Sequence, residues 1–288
     1  MAKRRGSPQE EQRYWEEAAR EWVTTLSKQF GPNYFVIETP NFLLLCDARK
    51  SVAENIGGFC ERALSRIQEF LPDLTWQHRA GKWVILMFST DDSYYRYTSY
   101  FHSDGEHPMS GGTCLEGEGY VHIAMPVEYE KEYPHTTLAH ELTHACFWQL
   151  ELPRWLDEAL AIRMEAIAGQ TPARIWDTYY LDQLIQFWNA DNIQLFWHGS
   201  SWNLPGEFFG FSYGLSEILW RTIELDFRPP TEAIVQFIKE ADRMDGGEEA
   251  CRAAFNLSLS DVVAHFLGNG DWTPNPECWE VEYTPSKY

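Results

Sequence analysis

Short apolar runs alternate with longer amphipathic segments along the first 170 or so residues of the chain. The apolar runs have the length and composition of buried strands, whereas the longer segments repeat apolar residues every three or four positions, as a helix with one buried face does. The sequence predicts strands at 34–46, interrupted at Pro40, at 82–89 and at 119–125, and helices at 51–70 and 91–101. Residues 102–118 are rich in Gly, Ser and His and predict a loop.

From Ile175 onward the pattern is helical throughout. Gly, Pro and Asn residues separate predicted helices near 179–189, 207–225, 231–242, 247–255 and 259–267. We therefore predict an α+β fold in four parts. These are a charged, partly helical arm at 1–30 that packs on the outside, an α+β subdomain at 31–170, a helical subdomain at 171–270 and an extended tail at 271–288.

The composition is that of a globular protein with a large acidic excess. Of the 288 residues, 44% are hydrophobic and 15% are aromatic, which is enough to form a sizeable core. The chain has 23 basic and 43 acidic side chains, and its net charge of −20 disfavours nucleic-acid and membrane partners, whose surfaces are anionic. The basic N-terminal residues are not followed by the apolar run of a secretory signal, so a cytoplasmic location is expected.

The segment HELTH at residues 140–144 has the spacing expected of a metal site on a helix. Apolar residues predict a helix over 136–150, and His140 and His144 project from one side of it about one turn apart. Two such histidines can share a divalent metal ion. Glu141 lies beside them, where it can reach a water molecule on the metal without binding the ion itself. This arrangement is typical of zinc-dependent hydrolases.

A second helix is predicted to follow Pro153 and to run from Arg154 through Ala166. Thirteen residues separate His144 from Glu158, enough for the chain to turn back and present this carboxylate to the histidine pair. Two histidines and one glutamate make three protein ligands. The fourth position stays open for water, which distinguishes a catalytic zinc site from a closed structural one.

These two segments resemble the gluzincin metallopeptidases, whose third zinc ligand is a glutamate in a W-L-x-E-G-x-A helix. The present sequence reads PRWLDEALA at 153–161, with Ala159 where the family usually has glycine. Similarity to the small bacterial proteins called peptidase MA-like extends over most of residues 34–268. It includes YFVIETPNF at 34–42, KWVILMF at 82–88, FSYG at 211–214, opening a predicted helix, and AAFNLSL at 253–259.

The resemblance implies a zincin-like fold with a small N-terminal sheet, two metal-bearing helices and a helical C-terminal subdomain. It implies Zn²⁺ as the cofactor, with His140, His144 and Glu158 as its ligands and Glu141 as the general base. Tyr213 lies in a segment similar to the family's tyrosine-containing helix after the metal site, which makes it the candidate donor to the oxyanion. The expected activity is hydrolysis of a peptide or protein substrate.

Several other polar residues near these motifs have more than one interpretation. Asp157 either fixes the tautomer of a ligand histidine or is a solvated helix residue. His102, His107 and His122 lack a spaced partner and are interpreted as structural. Cys146 is interpreted as a small buried hydrophobic residue.

The strand that precedes the first metal-bearing helix, Tyr120–Met125, corresponds in position to the edge strand that lines the cleft of gluzincins. Peptides commonly bind such an edge through main-chain hydrogen bonds. An ordinary internal strand is the alternative. Gly111-Gly112, shortly before this strand, is interpreted as a flexible turn.

Two functions of another class stay open. The site could bind zinc for structure or sensing without hydrolysis, or the chain could be an acidic scaffold that binds a partner on a zincin fold. Glu141 argues against both, because a structural site has no need of a base beside an open coordination position. The sequence contains no phosphate-binding loop, dinucleotide-binding motif or nucleophile elbow.

Overall fold

The chain divides into two compact units. In the computed structural model of the protein, residues 7–72, 81–101, 111–117, 120–127, 134–172 and 174–279 are described. Unit 1 comprises Met1–Cys146 and Ile167–Thr171, and unit 2 comprises Phe147–Ala166 and Pro172–Tyr288. Where the structure describes them, unit 1 contains the strands and unit 2 is helical.

Within the described residues, unit 1 is built around a mixed five-stranded sheet in the order β1-β2-β3-β5-β4. The strands are β1 (Phe35–Glu38), β2 (Phe42–Cys46), β3 (Trp83–Phe88), β4 (Thr113–Gly117) and β5 (Tyr120–Pro126). β2, β3 and β5 run parallel to one another, and the outer strands β1 and β4 each pair antiparallel with their neighbour.

Helices pack on both faces of this sheet. The helices in this part of the chain are α1 (Pro8–Phe30), α2 (Lys50–Phe70), α3 (Asp91–Thr98) and α4 (His135–Phe147). Val23 of α1 is buried in one cluster with Leu43 and Leu45 of β2. Leu44, between them, points to the other face because side chains alternate along a strand, and there it lies beside Gly57 of α2. All residues of β2 and β3 are buried, as expected of strands covered on both faces.

Unit 2 consists of helices that pack around large aromatic side chains. They are α5 (Arg154–Ile167), α6 (Thr178–Phe187), α7 (Ile193–His198), α8 (Glu207–Arg221), α9 (Thr231–Glu240), α10 (Glu248–Phe255) and α11 (Leu259–Leu267). Trp155, Trp197, Trp202 and Trp220 are among its fully buried residues. Ser258 caps α11 by accepting a hydrogen bond from the Asp261 backbone N–H at 3.0 Å. A π-helical segment, Thr222–Phe227, follows α8.

The α+β class is confirmed, and most predicted elements are present close to their expected bounds. The loop predicted at 102–118 is wrong over Thr113–Gly117, which forms β4 through backbone pairing with β5. The strand at 120–126 is not an edge strand, because it pairs with β3 on one side and with β4 on the other. The pattern also missed α7, whose six residues are too short to show a helical period.

The N-terminal segment packs more closely than an outer arm would. It forms a continuous helix, α1, whose side chain at Val23 is 0% exposed. None of the described helices is long and apolar enough to cross a membrane.

A buried histidine lies on β5 in unit 1. His122 is 2% exposed, its Nε2 atom lies 2.8 Å from the Tyr97 hydroxyl oxygen, and its ring meets Trp22 edge-on at a centroid distance of 5.0 Å. Burial lowers the pKa of His122 to about 3, because the imidazolium form would lose its hydration. The ring is therefore neutral in this environment, which agrees with its interpretation as a structural residue.

The neutral state of His122 makes stability depend on pH. A histidine in the unfolded chain gains a proton near pH 6.5, whereas folded His122 gains one only near pH 3, so acid favours unfolding between these values. Between about pH 7.5 and about pH 5, the wild type should lose on the order of 2 kcal/mol more unfolding free energy than His122→Asn. Urea unfolding at both pH values measures this. A His122 imidazole resonance that titrates near pH 6.5 would contradict the expectation.

Candidate metal centre

Helix α4 carries two histidines on one side. The helix begins where the Leu138 backbone N–H donates to the Pro134 carbonyl at 2.8 Å. His140 and His144 follow one turn apart, and their Nε2 atoms lie 3.0 Å from each other. His144 is 2% exposed and His140 is half-buried. Two imidazole nitrogens therefore converge on one point, as their spacing in the sequence predicts.

Glu158 lies on α5 and is almost completely buried. Pro153 precedes the helix, and its carbonyl accepts two backbone N–H groups of the first turn at 2.9 and 3.1 Å. Trp155 is 0% exposed, and its indole N–H donates to the Gly246 carbonyl at 2.9 Å, which anchors this part of α5 in the core of unit 2. Glu158 is 1% exposed. Its carboxylate therefore depends on protein groups, or on a bound ion, for compensation.

His140, His144 and Glu158 form a group that can hold a metal ion. One ring nitrogen of each histidine and one carboxylate oxygen of Glu158 all lie within 4.8 Å of one another. Two imidazoles and a carboxylate are a donor set that divalent transition metals bind readily. A cation bound there would also compensate the buried negative charge. The residues present thus fit a divalent metal ion.

Glu141 follows His140 on α4 and is 7% exposed. The backbone that leads into β4 lies directly against it: a Cβ atom built on Gly112 would stand 3.0 Å from Glu141 Cγ and 3.2 Å from Glu141 Oε1. The same Cβ would stand 3.0 Å from Thr137 Cγ2. The interpretation of Gly111-Gly112 as a turn did not include this packing role of Gly112. Its missing side chain allows the backbone to approach Glu141 closely.

Tyr213 lies near Glu158 within unit 2. Its hydroxyl donates to Glu158 Oε1 over 3.4 Å, which is long for an O–H···O hydrogen bond. The ring meets Trp202 and Phe209 edge-on at centroid distances of 6.2 and 5.1 Å. The start of the helix predicted near 207–225 is confirmed at Glu207, so the FSYG segment lies inside α8 and does not open it. Tyr213 thus stands in the middle of a regular helix, where its backbone is well fixed.

Arg154 is a further residue near the site that the sequence motifs do not include. It lies one helical turn before Glu158, and its Nε atom is 3.8 Å from Glu158 Oε1. The spacing of four residues between an arginine and a glutamate on one helix was the available signal.

The remaining candidates lie outside this group. Asp157 is half-buried on α5, and Cys146 is buried at the end of α4. His102 and His107 lie outside the described residues.

No known protein-family profile matches this sequence, and no curated protein matches it either.

The two adjacent glycines before β4 provide a matched test of the contact with Glu141. A Cβ atom on Gly111 would meet nothing closer than 3.9 Å, whereas one on Gly112 would crowd both Glu141 and Thr137. We expect Gly112→Ala to lower the free energy of unfolding by about 1 to 3 kcal/mol. Gly111→Ala should stay within about 0.5 kcal/mol of the wild type. Equal unfolding midpoints for the two variants in urea would show that the Glu141 side chain moves aside with no loss of unfolding free energy.

Proposed function

We propose that this protein is a zinc-dependent metallopeptidase with a zincin-like, gluzincin-type fold, acting on a peptide or protein. One observation carries the proposal: ligand atoms of His140, His144 and Glu158 lie within 4.8 Å of one another, and the buried Glu141 stands next to the first histidine. The resemblance of HELTH and PRWLDEALA to the gluzincins supports the same reaction class. Zinc suits this donor set because it binds imidazole and carboxylate ligands in catalytic sites that keep one position open.

The proposed residue roles follow from the donor set. His140, His144 and Glu158 would hold the zinc ion. When bound, zinc polarises the scissile carbonyl and lowers the pKa of a coordinated water to about 7. Glu141 accepts the proton of the attacking water and passes it to the leaving amine, a general acid–base role worth about 10² to 10⁴ in rate.

Burial and packing support the role of Glu141. At 7% exposure, the carboxylate is largely shielded from bulk water, so its proton transfers are directed to groups inside the site. The contact with the Gly112 backbone restricts the positions that the carboxylate can take. A base with few orientations is preorganised for its reaction.

Tyr213 is the proposed donor to the oxyanion. Its hydroxyl lies 3.4 Å from Glu158 Oε1, and α8 and the two aromatic contacts fix the ring. A long hydrogen bond to the carboxylate is weak, so the hydroxyl can turn to a stronger acceptor when negative charge develops on the substrate oxygen.

We expect the protein to bind about one zinc ion per chain through three side chains. His140→Ala, His144→Ala and Glu158→Ala should each weaken zinc binding severely, because every variant removes one of three ligands. Elemental analysis and zinc titration of the purified variants measure this. His265→Ala is the matched control, since His265 is exposed and lies 3.3 Å from the Asp226 carboxylate. Unchanged zinc content in Glu158→Ala would show that another residue is the third ligand, with Asp157 as the next candidate.

Replacing Glu141 should separate binding from catalysis. Glu141→Gln keeps the shape of the side chain but cannot accept a proton, so zinc should stay bound while turnover of a peptide library falls by about 10² to 10⁴. Glu69→Gln, on the exposed side of α2, is the control. Wild-type activity in Glu141→Gln would exclude the proposed base. If zinc binds but even the wild type cleaves nothing, the structural or sensing function replaces the peptidase. If no zinc binds, an acidic scaffold replaces it.

Removing the Tyr213 hydroxyl tests the proposed donor. Because the hydrogen bond to the oxyanion exists only as the transition state forms, Tyr213→Phe should lower kcat and kcat/KM together, by about 10² to 10³. Tyr179→Phe is the control, since Tyr179 is 71% exposed on α6. An unchanged kcat with a lower melting temperature would assign Tyr213 to the core instead.

A further inference from the structure

Arg154 stands beside the carboxylate of Glu158 in the first turn of α5. Its Nε atom lies 3.8 Å from Glu158 Oε1, and the two side chains are 22% and 2% exposed. The distance is longer than a hydrogen bond, so the interaction acts through charge. Because both side chains are largely buried, the attraction is screened much less than it would be on the surface.

The segment between α7 and α8 holds the guanidinium group in place. Arg154 Nη1 donates to Asn203 Oδ1 at 3.2 Å, and the guanidinium carbon lies 5.4 Å from the centre of the Trp202 ring. Gly199, with φ of 85°, starts this segment, and a Cβ atom built on it would stand 3.1 Å from Arg154 Cβ. The backbone at Gly199, the Asn203 amide and the Trp202 indole thus all restrict the position of the Arg154 side chain.

This arrangement uses properties that distinguish arginine from lysine. The planar guanidinium can lie over an aromatic ring, donate to an amide oxygen along one edge and face a carboxylate along another. A lysine would keep the charge but not this set of contacts. A role that needs only positive charge would be met by either residue, whereas a role in orientation would be met by arginine alone.

We propose that Arg154 is a positioning residue that holds the Glu158 carboxylate in the orientation needed to bind the metal ion. The inference rests on the proposed function, because it takes Glu158 as a metal ligand. Arg154 attracts one oxygen of the carboxylate, Oε1, and so limits how the carboxylate can turn. Groups that orient ligands in this way typically account for about 10-fold to 100-fold in metal affinity.

A cation close to a metal site also repels the metal ion, and this repulsion would change the metal affinity in the opposite direction. If repulsion dominated, removing Arg154 would strengthen metal binding. If orientation dominates, removing it weakens binding, and a lysine that retains the charge fails to restore the wild-type affinity. The direction of the change therefore decides between the two effects.

The test is a titration of the metal-free full-length protein with Co²⁺ alone, followed by competition with Zn²⁺. The visible absorption of Co²⁺ reports coordination geometry, and it requires no substrate. We expect Arg154→Ala to bind Co²⁺ about 10-fold to 100-fold more weakly and with a changed spectrum. Arg154→Lys should also bind more weakly than the wild type. Arg163→Ala is the matched control, because Arg163 lies on the same helix and pairs with Glu224 at 2.9 Å. It should keep the wild-type affinity and spectrum.

A second variant keeps the test decisive if Arg154→Ala does not fold. Asn203 is exposed, so Asn203→Ala should fold while it releases the Arg154 guanidinium, and it should weaken Co²⁺ binding in the same direction. The inference would be overturned if folded Arg154→Ala bound Co²⁺ with the wild-type affinity and spectrum, or more tightly than the wild type. If Arg154→Ala does not fold, the same result in Asn203→Ala would overturn it. A wild-type protein that binds neither Co²⁺ nor Zn²⁺ would overturn the proposed function, and this inference with it.

Discussion

The structure of the site depends on the burial of one carboxylate. Glu158 is 1% exposed, and an ionised group at such a position destabilises the fold unless other groups compensate its charge. Within unit 2, Arg154 and the Tyr213 hydroxyl approach the same carboxylate oxygen. A metal ion held together with His140 and His144 would provide the remaining compensation. The burial that makes an ionised Glu158 costly for folding would also strengthen its binding of a metal ion, because water does not compete for the carboxylate.

Local features of the site could be predicted from the sequence because they follow from helix geometry. His140 and His144 converge because residues four apart share one side of a helix, whatever the rest of the fold does. The bounds of most strands and helices followed from apolar periodicity in the same way. Glu158 could be predicted because the PRWLDEALA segment combines a helix start after Pro153 with a carboxylate at a suitable separation from His144.

Features that depend on distant parts of the chain could not be predicted. The contact between Gly112 and Glu141 brings the residue before β4 against a helix that lies further along the chain, and a pair of glycines alone is equally compatible with a turn. β4 could not be predicted for the same reason, because its five residues form a strand through backbone pairing with β5. The contacts of Arg154 with Trp202 and Asn203 span almost fifty residues, and no local pattern encodes them.

In a protein that binds a metal ion at this site, the shielded position of the Arg154 and Glu158 pair would determine how ionic strength acts on metal exchange. The net charge of −20 attracts cations over long distances in water of low ionic strength. In 0.1 M salt, this attraction extends only about 10 Å from the surface because dissolved ions screen it. The pair itself, at 22% and 2% side-chain exposure, is largely beyond the reach of that screening. Added salt should therefore slow the association of a metal ion but leave its dissociation rate nearly unchanged. Capture of the ion would then be governed by the whole acidic surface, and its retention by the few side chains around Glu158.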